Sequence, residues 1–159
     1  MMFESSRRLR EDIDALLEAV RQMSGGRYAC IMEPDTVLFE SLAPGAEEEM
    51  APLRQIVERR GRLIFALPTS MADEGGPGED PFAAWERDEL CLVIINDRVG
   101  LLVACHDAEA AREEMMDALK ALVDRLLRLE SRYRLDRRGR GFFFGSPKLD
   151  FVTIGRTTG

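Results

Sequence analysis

The sequence predicts an α/β (α+β) fold: a three-layer α/β/α sandwich around a five-stranded, mostly antiparallel sheet. Two adjacent apolar runs and the helical stripe that follows them carry this reading. Leu90 to Ile95 is unbroken apolar, Asn96-Asp97-Arg98 is a polar turn, and Val99 to Cys105 is a second unbroken run. Such a pair reads as an antiparallel hairpin. Neither arm alternates apolar with polar, so both faces of both strands must be covered, which places the hairpin mid-sheet with helices on each side. Directly after it, 108–134 carries Met115, Leu119, Leu122, Leu126, Leu129 and Tyr133 at alternating spacings of four and three, the stripe of a long amphipathic helix.

The remaining elements follow in chain order. Arg7 to Met23 sets Leu9, Ile13, Leu16, Leu17, Val20 and Met23 on one helical face, with Ser5-Ser6 as candidate caps and Ser24-Gly25-Gly26 as the stop. Tyr28 to Glu33 and Thr36 to Ser41 flank Pro34-Asp35, a turn pair, and form a first hairpin. After Pro44-Gly45, Met50, Leu53, Ile56 and Val57 fall at helical spacing, and Gly61 reads as a C-terminal stop. Pro52 lacks an amide donor and suits only a first turn, so the regular helix is expected to begin near Ala51, with Glu47-Glu48-Glu49 leading in. Leu63 to Leu67 is expected to be a short strand closed by Pro68.

Residues 68–85, centred on Gly75-Gly76-Pro77-Gly78-Glu79-Asp80-Pro81, cannot build a core and read as a flexible loop inserted in one domain spanning 1–135. Residues 136–159 read as a basic linker, Arg137-Arg138-Gly139-Arg140-Gly141, and an apolar tail.

With 159 residues and a net charge of −7, the chain is the size of one domain, and its overall field argues against coating nucleic acid. Basic residues outnumber acids from Lys120 to Arg140; such a local basic end either meets an acidic partner or a phosphate or, the expected reading, is a solvated helix face whose C-terminal arginines complement the helix dipole. Cys30, Cys91 and Cys105 are odd in number, sit in apolar strand runs and lack Cys-x-x-Cys spacing, so they read as buried small hydrophobes in a reducing compartment. Neither a signal-like apolar core nor a run near the ~20 residues needed to cross a bilayer is present, and a cytoplasmic protein without membrane contact is expected.

No catalytic signature emerges, and no metal, cofactor or enzymatic role is expected. Cys105-His106-Asp107 sets thiol, imidazole and carboxylate side by side, but neighbours on an extended chain point to opposite faces, and Asp107 is better explained as a helix N-cap. The glycine-rich stretches lack the residues of a phosphate cradle. Trp85 either seals the end of the core or anchors a partner. Phe142, Phe143 and Phe144 must fold back, the expected outcome, or dock on a partner, because leaving them in water forfeits roughly 2 kcal/mol each.

The order helix, hairpin, helix, strand, central hairpin, long helix resembles the Roadblock / dynein light chain superfamily, and among its members the MglB-like bacterial small-GTPase regulators. The likeness rests on the helix up to Met23, the hairpin Tyr28 to Ser41, the helix ending at Gly61 and the stretch Glu89 to Ala111. It is one of layout and hydrophobic pattern, and the first turn lacks the Asp-Gly of many members. The resemblance implies a non-enzymatic regulator or scaffold that homodimerises and binds a small Ras-like GTPase as activator or adaptor. It implies a dimer interface at Leu53, Ile56, Val57 and Arg60 of the second helix and at the edge strand Leu63, Ile64, Phe65, Ala66 and Leu67. Arg60 or Arg98 would be a conceivable inserted finger, though both positions are equally ordinary surface sites. GAF- and PAS-type sensor domains share a related layout, so a small-molecule sensor or a structural interaction module stands as the alternative.

Overall fold

The computed structural model describes residues 2–34, 36–68, 81–85, 87–95, 99–114, 116, 120, 124 and 150–154, residues 2–9 as backbone only. Helix α1 (Met2–Met23) buries Ile13, Leu17 and Val20, one stripe at spacings of four and three. It begins before Ser5-Ser6, which are therefore inside the helix rather than caps; serine costs a helix interior only a few tenths of a kcal/mol, about too little to stop one. Met23, expected on the buried stripe, is 47 % exposed because the helix ends there. Gly25 closes it at φ 68°, the left-handed stop that a residue without Cβ adopts freely, and the Gly26 amide returns to the Arg21 carbonyl.

Strands β1 (Tyr28–Glu33) and β2 (Thr36–Leu42) form the first hairpin, closed by the Glu33–Thr36 pair. A register shift at Ile31/Met32 leaves Leu38 as the extra residue of β2. That bulge lets Val37 reach one face and Phe39 the other.

Helix α2 (Glu47–Phe65) starts earlier and ends later than its sequence suggests. Pro52 lies inside it, where the unmatched Glu48 carbonyl and the proline both sit on the exposed side and water can substitute for the missing donor. Three glutamates in its first turn complement the helix dipole in place of a side-chain cap at Ala46. Gly61 is not a stop. A Cβ there would stand 1.3 Å from the Pro34 carbonyl oxygen, so glycine is what lets the helix cross the first hairpin's turn, with a kink at Arg60 (φ −121°, ψ 22°).

The expected strand at 63–67 is helical from Leu63 to Phe65 and turns at Ala66. The stripe Met50, Leu53, Val57, Gly61 and Ile64 continues through it at helical spacing, so Ile64 and Leu67 go inward while Leu63 stays 36 % exposed. The fifth strand comes instead from the tail: β5 (Asp150–Ile154), which follows β3 (Glu89–Ile94) and β4 (Gly100–Cys105) in the chain.

The sheet runs β2-β1-β4-β3-β5, antiparallel throughout. Every residue of 90–94 and 100–105 is buried, as two unalternating apolar arms require. On one face, α1 and the helix α3 that begins at 108 pack through Ile13, Leu17, Ala108 and Ala111 onto Ile31, Val93, Leu101 and Val103. On the other, α2 packs onto Cys30, Met32, Leu92, Leu102 and Val152. These are the three layers of an α/β/α sandwich. The α3 stripe from Met115 to Tyr133, the loop 69–80, the basic linker and Phe142 to Phe144 lie outside the described residues.

Candidate functional site

The polar groups that converge do so at the rim of the sheet. On the β2 side, Tyr28 is held by burial under α2, and its hydroxyl donates to Glu40 Oε2 at 3.0 Å. Burial, followed by the neighbouring Cys30 thiol, pushes that phenol upward, so it stays a neutral donor. Arg54 of α2 donates from Nε to the same Glu40 oxygen at 2.9 Å and bridges the other oxygen through Nη2. Two clefts open on this edge. One, of about 310 Å³, lies between Tyr28, Leu42 and Met50; the other, of about 330 Å³, spans from Arg10 and Asp14 of α1 to Glu58 of α2, and Glu40 and Arg54 line both.

A second network locks the far end of the hairpin. Arg27, just before β1, donates from Nε and Nη2 to both oxygens of Asp88 at 2.9 and 2.8 Å and also pairs with Glu49 of α2. The Asp88 hydrogen bond is the first reason its guanidinium is held above the usual value. The Trp85 indole donates to the Asp88 carbonyl at 3.0 Å. Trp85 is 2 % exposed and Phe82 fully buried in the α2-side core, so the tryptophan takes the sealing role and not the anchor role. The network ties three segments together and presents no reacting group.

Cys105, His106 and Asp107 do not converge. Cys105 is buried and its thiol pushed up to about 12 by desolvation, His106 is exposed, and Asp107 Oδ1 accepts from the Ala110 amide at 3.1 Å as the N-cap of α3. Burial likewise raises Cys30 to about 12 and Cys91 to about 11, which leaves all three as protonated packing groups. Among the described residues no cluster of metal-binding type is formed, and no helix is long and apolar enough to cross a membrane.

Of the nine residues expected at a dimer interface, Leu53, Val57, Ile64 and Leu67 are consumed by α2 packing on its own sheet. Strand pairing through 63–67 is therefore not available, because that stretch is helical and lies over the face of the sheet. Ile56 and Phe65 are half-buried, whereas Arg60, Leu63 and Ala66 are exposed. The open rim beside β3 belongs to β5, whose alternation was too short to separate from an irregular tail. Phe151 joins the α1 and α3 side, Val152 and Ile154 the α2 side, and Thr153 donates to Glu109 Oε1 of α3 at 2.8 Å. No family model, no curated protein and no solved structure matches this chain.

Proposed function

We propose that this chain is a non-catalytic Roadblock-type interaction domain of the cytoplasm that homodimerises and binds a small Ras-like GTPase, as activator or adaptor. The observation that carries this reading is the disposition of layers. Among the described residues α2 is the one helix over one face of a sheet whose centre is the fully covered β3–β4 hairpin, with α1 and α3 together on the other. The buried centre is apolar and its thiols are protonated, so the surface is what such a molecule offers. In this reading homodimerisation uses the β5 rim in place of the expected 63–67 strand. The test is to mix the purified chain with the Ras-like GTPases of its own genome and to follow binding and GTP hydrolysis. A complex with at least one, with or without altered hydrolysis, is expected; neither binding nor altered hydrolysis with any of them would overturn the reading.

A further inference from the structure

The rim of the sheet opposite β5 carries a separate inference. Among the described residues β2 pairs with β1 alone; six of its seven residues are half-exposed and Thr36 is exposed, whereas β1 is buried along five of its six residues. Beyond the bulge at Leu38, Phe39 to Leu42 keeps regular register with Tyr28 to Ile31, so four consecutive residues form an unbulged stretch whose outer backbone groups have no strand partner among the described residues. The two clefts flank this stretch, one on the α2 side and one reaching round to α1. Successive side chains of an added strand point to opposite faces, so alternate residues of such a strand would enter the two clefts in turn.

The charge of the walls selects the occupant. Arg10 and Arg54 stand against Asp14, Glu40, Glu47 and Glu58. Arg54 is spent on Glu40, and Arg10 lies over the Phe39 ring at 5.4 Å. A second copy of β2 would bring the same acidic rim against itself, which like-charge repulsion disfavours. We propose that the outer edge of β2 at Phe39–Leu42 docks an extended segment of a partner protein that carries lysine or arginine, which joins the sheet as a further strand with its basic side chains directed to Asp14, Glu47 and Glu58. This site is on the opposite rim from the proposed dimer edge and does not rest on the GTPase reading.

The probe is a short synthetic peptide alternating lysine and valine, titrated onto the full chain in low salt and compared with the same peptide N-methylated at every second residue and with a glutamate counterpart. The lysine peptide binds saturably, backbone methylation weakens it by about tenfold or more, and the glutamate peptide does not bind. The surface variant D14K/E58K weakens binding by a similar factor, about tenfold, with unchanged thermal unfolding. Bound peptide slows amide exchange at 39–42. Equal binding of the methylated peptide would reduce the contact to unspecific charge. That result, full affinity in D14K/E58K, protection confined to β5, or no binding of the lysine peptide would each overturn the proposal. No GTPase is present in the assay, so either proposal can fail without the other.

Discussion

Leu90 to Ile94 and Leu63 to Leu67 are both short, wholly apolar runs, and the chain uses them in opposite ways. The first lies in the middle of the sheet with each residue buried; in the second Ile64 and Leu67 face inward and Leu63 and Ala66 outward. Composition does not separate them. What differs is the neighbouring pattern: the first is answered by an equal run across a polar turn, while the second prolongs a helical stripe that begins at Met50. An apolar run of five or six residues takes its conformation from the register of what precedes it, and a strand's place at a sheet edge can then be filled from far along the chain, as β5 fills it.

The contrast is broken most severely by substitutions that remove buried mass from the hairpin. Leu102→Ala leaves a cavity under α2 and is expected to cost about 3–4 kcal/mol in denaturant unfolding, whereas Leu63→Ala, on a helix surface, changes stability by less than about 1 kcal/mol. Equal losses at the two positions would remove the distinction. Gly61→Ala sets a methyl group against the Pro34 carbonyl and is expected to cost about 3 kcal/mol by forcing α2 off the first hairpin. A neutral result would mean that the two do not touch. Val152→Ala tests whether the tail strand belongs to the core, with an expected loss of about 2 kcal/mol. Asp88→Ala removes a bidentate partner from the partly exposed Arg27 and is expected to cost only about 1 kcal/mol.

The thiols add a pH dependence. Cys30, Cys91 and Cys105 lie above the ordinary thiol value of 9.0 when folded, so the unfolded chain loses these protons first. Stability is therefore unaffected by them below about pH 9 and falls as pH rises through the window up to about 11–12, each group contributing at most about 1.4 kcal/mol per pH unit. Chemical unfolding followed across that range, with a Cys91→Ala variant showing a shallower fall, checks the sign.

Local signals made much of the fold legible: both hairpins, the glycine stop of α1, the Asp107 cap, and the helical stripes of α1 and α2. What escaped reading depends on distant partners. The role of Gly61 is set by Pro34 in another element, and the network of Arg27, Glu49 and Asp88 joins three segments by contacts that leave no spacing rule. The clefts beside β2 were equally silent, because Asp14, Glu40 and Glu58 come from three elements and each alone is an ordinary surface acid. Ser5-Ser6 misled because a favourable helix outweighs a weak local preference, and Pro52 because its exposed position lets water serve the carbonyl that the ring leaves unmatched.

The most direct measurement is the backbone carbon chemical shifts of the full chain in solution. Helical Cα shifts at 63–65 beside strand shifts at 90–94, 100–105 and 150–154 are expected. Strand shifts at 63–67 with none at 150–154 would return that stretch to the sheet edge and overturn this account of the rim.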